Sequence, residues 1–217
     1  MLTYILALLV AYLLGSVPTG FLAAKSRGVD IRTLGSGNIG ATNVFRFLGK
    51  PAGIFVLIVD ALKGWIAVVV TAPAIAAWTG AHLSAQSFEW LKICAGIAAV
   101  LGHNYTCWLH FKGGKGIATS AGVLIALVPW AFLIILGVWI ITAAVTGYVS
   151  LASICAAIAL PFAAWLTTHS INMTVITTFM GALAIYKHRA NIKRLLNGTE
   201  NRFSRKKASI EPPPQNS

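Results

Sequence analysis

Charge is what this sequence has least of. Only 10% of its 217 residues are Asp, Glu, Lys or Arg, and from residue 117 to residue 186 there is none at all. A chain of this length can bury one full core, but no soluble core needs an uncharged tract that long. With 57% hydrophobic residues, the composition is that of an integral membrane protein.

Other absences narrow the reading further. Cys94, Cys107 and Cys155 have no Cys-x-x-Cys or Cys-His spacing, so they read as buried fillers. Neither a zinc site nor a disulfide framework is expected, and no cofactor is implied. No basic residue precedes the apolar stretch 1–24, which therefore reads as a retained first helix with its N-terminus outside rather than a cleaved leader. No internal repeat of the kind that marks many secondary transporters is visible. Acidic residues number five against 17 Lys and Arg, but cytoplasmic loops of membrane proteins gather basic residues for topological reasons. No basic helix or aromatic-basic platform stands apart from a membrane segment, so nucleic acid is not an expected partner.

What is present is a series of apolar segments, at about 2–24, 51–79, 88–109 and 117–186. Between and after them lie three polar islands, 25–50, 110–116 and the stretch from 187. Each is net basic, which places all three in the cytoplasm by the positive-inside rule. An outside N-terminus and an inside C-terminus require an odd number of passes. Pro129, Gly147, Pro161 and the Thr167–His169–Asn172 patch punctuate the long tract, and a break before Pro129 divides it into about 117–128, 130–146, 148–167 and 172–187. The expectation is an all-α polytopic protein of about seven fully or partly spanning helices, with five as the alternative. Residues 1–203 form one domain on this reading, and 204–217 a basic, Pro-containing disordered tail.

The first island contains Gly35, Gly37 and Gly40 in Gly-x-Gly-x-x-Gly spacing, with Asp60 at 20 residues beyond the last glycine. A dinucleotide site needs a strand before these glycines and a helix after them. Asp60 instead lies in "GIFVLIVDALKGW", a membrane segment. The donors here are backbone amides, the hydroxyls of Ser36 and Thr42, the amides of Asn38 and Asn43 and the guanidinium of Arg46, a set suited to phosphate. Taken alone, the stretch is equally a glycine-rich loop with topological charges.

The second island, "LGHNYTCWLHFKGGKGIATSAG", sets Lys112 and Lys115 among Gly113, Gly114 and Gly116, with a helix expected to begin near Ile117 and its amide end facing the loop. It is not an ATP-binding P-loop, since Leu109 occupies the first glycine position and Gly116 follows the lysine. His103 stands just before it; His82, His110 and His169 have weaker claims. In the third island, "YKHRANIKRLLNGTE", a continuing helix would put His188, Asn191 and Leu195 on one face, with Arg194 three residues after Asn191. Asp60 and Lys63 are expected to form a mutual ion pair within the membrane.

These three stretches resemble the signatures of the bacterial acyl-phosphate-dependent glycerol-3-phosphate acyltransferase family: "GSGNIGATNVFR", "LGHNYTCWLHFKGGKGIAT" and "KHRANIKRLLNGTE", in the family's order. Thr106 stands where the family usually has proline. The resemblance implies transfer of a fatty acyl group from acyl phosphate to the 1-hydroxyl of glycerol 3-phosphate, on the cytoplasmic face of a bacterial inner membrane, by a monomer; association with other phospholipid-synthesis enzymes stays open. It implies that Ser36, Arg46, Lys115, His188 and Asn191 hold glycerol 3-phosphate, that Thr42, Asn43 and the Lys112–Gly114 loop cradle the acyl phosphate, and that Glu200 orients His188 or a basic neighbour. Asn38 and Arg194 complete the candidate set. The acyl chain would lie in a groove open to lipid. The hydroxyl proton has two candidate acceptors, His103 and a substrate phosphate oxygen, with the substrate preferred. A transporter or channel for a small phosphorylated anion would use the same donors, but the turns expected outside, near 80–87 and 146–148, hold no Lys or Arg. A non-catalytic scaffold would not require paired anion cradles.

Overall fold

The computed structural model describes residues 1–202; the tail assigned to 204–217 lies outside them. Those residues form helices joined by turns, with no strand among them. That is the expected answer to a solvent that cannot hydrogen-bond a backbone, because a helix satisfies its own peptide groups.

The first pass is α1 (Leu2–Ser16) and α2 (Thr19–Lys25), separated at Pro18, which pushes Val17 out of the helical region to ψ 113°. A loop follows, then the short helix α3 (Ala41–Leu48). Val44, Phe47 and Leu48 on one side of α3 join Ile31, Ile39 and Val56 in a small core. The second pass runs through α4 (Lys50–Ile66), a wide π turn at Ala67–Thr71, and α5 (Ala72–Trp78). The third is α6 (Ala85–Asn104), opened by Ser84, whose hydroxyl accepts from the Ser87 amide at 3.2 Å.

The uncharged tract supplies four more passes: α7 (Ile117–Leu127), α8 (Pro129–Thr146), α9 (Val149–Thr168) and α10 (Ile171–Lys187). Their ends fall within two residues of the expected breaks. Pro161 does not break α9; neighbouring helices in a membrane bundle tolerate such a residue. A last helix, α11 (Arg189–Leu196), turns off at His188 rather than prolonging α10. Seven helical passes thus cross the described bundle, and four of them, counting α1–α2 and α4–α5 as single spans, are both long and apolar enough to traverse a bilayer. The protein is a multi-pass membrane protein.

Small residues set the spacing between passes. Ala7 and Ala11 of α1 pack with Ala95, Ala98 and Ala99 of α6. A Cβ at Gly64 would overlap the Thr119 carbonyl, and one at Gly122 the Ala61 carbonyl, so α4 and α7 touch backbone to backbone.

One expectation is corrected. The turn at 146–148 lies beside the third island, not at the opposite end: the Tyr148 hydroxyl accepts from Arg202 Nε at 3.1 Å, and Ser150 donates to Glu200 at 2.8 Å. The short α7 is a pass in its own right, so α8 returns the chain to the end where α7 began. The far end keeps the turns at 79–84 and 169–170, neither with Lys or Arg.

Candidate active site

The three islands meet at one end of the bundle. Lys115 Nζ donates to Asn191 Oδ1 at 2.5 Å, Lys187 Nζ to the Asn104 carbonyl at 3.0 Å, and Thr106 to the Ser16 carbonyl at 2.5 Å. Thr106, the departure from the expected proline, thus pins the second island to the α1–α2 break. Between the islands lies a cavity of about 450 Å³. Its polar part is lined by Ser36, Asn38, Thr42, Asn43, Arg46, His103, Lys115, His188, Asn191, Arg194 and Glu200. Its apolar limb continues between α7–α8 and α9–α10 past Leu124, Phe132, Trp139, Ala156 and Leu160. A depression at the far end, lined by His82 and Phe88, has no Lys, Arg, Asp or Glu in its lining.

Eleven of the fourteen candidate residues therefore line one cavity. Lys112, Gly113 and Gly114 do not. The Lys112 side chain is exposed, and the amides of Gly113 and Gly114 are spent on the carbonyls of Asn104 (3.2 Å) and His103 (3.0 Å). The glycines fold the loop onto α6 instead of offering their N–H groups to an anion: a Cβ on Gly114 would overlap His103 Nε2. Free amides come from the first turn of α7, where Ile117 and Ala118 line the cavity and have no intrahelical acceptor.

Asn43 lines the cavity, but its amide is engaged by the chain itself. It is 2% exposed, accepts from the Ser36 amide (3.3 Å) and donates to the carbonyls of Ile31 (3.4 Å) and Leu34 (3.0 Å). Its side chain shapes the loop that presents Ser36. Asn38 accepts from the Gly40 amide at 2.7 Å, leaving its own NH₂ as a donor.

Glu200 is the hub of the third island. One oxygen accepts from Ser150 (2.8 Å) and Asn191 Nδ2 (2.7 Å), the other from Arg194 Nε (2.7 Å). Burial alone would raise its carboxyl, but the hydrogen bonds from Asn191, Arg194 and Ser150 outweigh that and hold it below the ordinary value. The chain Ser150–Glu200–Asn191–Lys115 fixes the ammonium from the start of α9. Lys115 itself is pushed down to about 8 by burial and by the nearby cations Arg194, Arg46 and Lys187, with Glu200 opposing.

His188, 2% exposed, is pushed down to about 4 by burial and by Lys115, so it is neutral near pH 7. Its Nδ1 lies 2.7 Å from the Ala184 carbonyl, which can only accept. The proton therefore sits on Nδ1 and Nε2 is an acceptor. Such a ring suits a hydroxyl better than a phosphate oxygen.

Asp60 and Lys63 form the expected ion pair, at 2.9 Å. What sequence reasoning missed is that Asp60 also lines the cavity and stands 3.7 Å from His103. Ser150 and Asn201 were missed as well; nothing in a serine near the start of an apolar helix marks it as a partner for Glu200.

The family model for glycerol-3-phosphate acyltransferase matches residues 5–198. Glycerol-3-phosphate acyltransferases from Geotalea daltonii and Endomicrobium trichonymphae are 48% and 44% identical, each over 94% of this chain and over 100% and 97% of their own lengths. Crystal structures of PlsY, an integral membrane glycerol 3-phosphate acyltransferase, are 42% identical. The glycerol 3-phosphate form has a TM-score of 0.81 over 93% of this chain and 96% of that one. The lysophosphatidic acid form has a TM-score of 0.78 over 93% and 95%. A seven-pass helical bundle with three donor-rich islands around one cavity, matched along nearly its whole length, belongs to the glycerol-3-phosphate acyltransferase family.

Proposed function

We propose that the protein transfers a fatty acyl group from acyl phosphate to the 1-hydroxyl of sn-glycerol 3-phosphate, giving 1-acyl-sn-glycerol 3-phosphate and phosphate, the first acylation of phospholipid synthesis. The observation that carries this is one cavity joining a mouth with Arg46, Lys115 and Arg194 to an apolar limb. Two phosphate groups and one hydrocarbon chain are what such a space accommodates. The related PlsY has been crystallised in a glycerol 3-phosphate form and a lysophosphatidic acid form, which supports the same acceptor and product here.

Acyl phosphate is a mixed anhydride and already activated, so the site has to align two anionic substrates and stabilise charge during attack. Ser36, Arg46 and Lys115, the last positioned by Asn191, hold the phosphate of glycerol 3-phosphate. Thr42, the NH₂ of Asn38 and the first turn of α7 receive the acyl phosphate. The 1-hydroxyl oxygen bonds to the acyl carbon, the bond from that carbon to the phosphate oxygen breaks, and the hydroxyl proton passes to a phosphate oxygen, which leaves with it. His103 and His188 orient the glycerol hydroxyls. His103→Ala accordingly impairs turnover without abolishing it; complete loss with substrate binding intact would make His103 the base.

Basic islands at the site end support an active site on the cytoplasmic face of a bacterial inner membrane. Anion transport has no matching observation, since the far-end turns lack Lys and Arg among the described residues. The test is lysophosphatidate formation by the purified protein from glycerol 3-phosphate with palmitoyl phosphate or palmitoyl thioesters, without added metal. Product from the acyl phosphate alone is expected. No product from any donor, in folded protein, would overturn the reading and favour transport.

A further inference from the structure

Two titratable residues inside the bundle take no part in holding either substrate. Asp60 and Lys63, one turn apart on α4, are 1% and 4% exposed. A buried ion pair is seldom more stabilising than apolar side chains of the same volume, so packing alone does not account for it. Lys63 Nζ also donates to the Val17 carbonyl at 3.0 Å, at the break between α1 and α2. The ammonium is thus held from two sides, and it holds Asp60 in turn.

Asp60 Oδ1 faces His103 Nδ1 across 3.7 Å, and both residues line the cavity. The charges around the imidazole are Asp60 and Lys63 from α4 and Lys187 from the end of α10. Lys187 is engaged by the Asn104 carbonyl and lies 4.4 Å from the centre of the Tyr105 ring. From the loop, Gly114 meets the ring without a side chain. A Cβ on that residue would overlap Nε2.

Paired with Lys63, Asp60 is a carboxylate and accepts hydrogen bonds only. A neutral imidazole that turns Nδ1 to a carboxylate carries its proton on that nitrogen, and Nε2 keeps its lone pair. The 3.7 Å separation is longer than a formed hydrogen bond, so it is the charge and direction of the carboxylate that favour the proton on the nitrogen facing it.

We propose that Asp60, braced by Lys63, is a positioning residue that fixes His103 in the Nδ1–H tautomer, so that Nε2 accepts a hydrogen bond from a hydroxyl of the acceptor substrate. The second half rests on the acyl-transfer reading above; the tautomer does not.

The experiment is ¹⁵N NMR of the full chain labelled at histidine, in detergent micelles near neutral pH, with His103→Ala identifying the signal. A protonated Nδ1 and an unprotonated Nε2 are expected, and the Nε2–H tautomer in the wild-type protein would overturn the proposal. Kinetics supply a second arm. Asp60→Asn should lower kcat by roughly tenfold or more, leave KM for glycerol 3-phosphate within about twofold, and cost less than about twofold when added to His103→Ala. Effects that multiply, or a raised KM at unchanged kcat, would also overturn it. If Asp60→Asn does not fold, the wild-type tautomer still decides. If the wild-type protein makes no lysophosphatidate, the functional reading fails while the tautomer stands or falls separately.

Discussion

Replacing Gly114 by alanine adds one methyl group where the fold has no room for it. That carbon would lie well inside the 3.0 Å that real Cβ atoms keep from their neighbours, against His103 Nε2. Relief is not available from the ring, which is 5% exposed with Asp60 behind it. Nor is it cheap from the loop, because the Gly114 amide is bonded to the His103 carbonyl at 3.0 Å. Ring or loop must shift by about 1 Å, and a displacement of that size next to reacting groups costs up to about 100-fold. The expected result is a fall of roughly ten- to a hundredfold in kcat/KM for glycerol 3-phosphate, measured as lysophosphatidate formed from palmitoyl phosphate. The control is Gly137→Ala in α8, the same chemical change where no atom lies within 4 Å; it should leave turnover unchanged. A Gly114→Ala protein within about twofold of wild type would refute the view that this glycine clears the imidazole.

Three further outcomes follow from the site. On the proposed reading Lys115 holds the phosphate as the ammonium ion, and with its value pushed down to about 8 it loses that charge as the pH rises through 8, so KM for glycerol 3-phosphate should climb there. Lys115→Arg should remove this alkaline limb, and Glu200→Gln, by deleting the charge that supports the ammonium, should move the limb to lower pH. Lys112→Ala should change kcat/KM by less than about threefold, since Lys112 is exposed and outside the cavity and truncating an exposed residue costs little; a large loss would put Lys112 back in the site. Lys63→Met leaves the Asp60 carboxylate buried and unpaired, a cost of about 3–5 kcal/mol, visible as a lower unfolding temperature in detergent and largely recovered in Asp60→Asn/Lys63→Met. Wild-type stability of the single variant would contradict this account of the pair.

The sequence was most legible where the backbone itself is constrained. Pro129, Gly147 and the polar patch around His169 divide an otherwise uniform apolar tract close to the observed helix ends, because proline, glycine and polar residues act locally. Helix α3 was hidden by its own glycines. Residues 35–40 read as an anion loop, while Val44, Phe47 and Leu48, at i, i+3 and i+4, carry the signature of an amphipathic turn. Residue types named the donors but not what each donor was bonded to. Asn43, Gly113 and Gly114 are polar groups in a donor-rich island by sequence, yet their hydrogen bonds close on the chain itself. The approach of Asp60 to His103 depends on how α4 and α6 lie against each other, which no spacing along the chain encodes.

Helix α7 has 11 residues, about 16 Å of rise, against a hydrocarbon layer of about 30 Å. The remaining depth is made up by the loop ahead of it, which carries Lys115 down into the bundle. On the proposed reaction, a site at that depth would lie below the lipid headgroups, and the fatty substrate would not have to be lifted out. Removing it would cost about 0.8 kcal/mol for each methylene, on the order of 12 kcal/mol for a long chain. The small, water-soluble partner would make the descent instead, and give up its hydration to the amides and cations there.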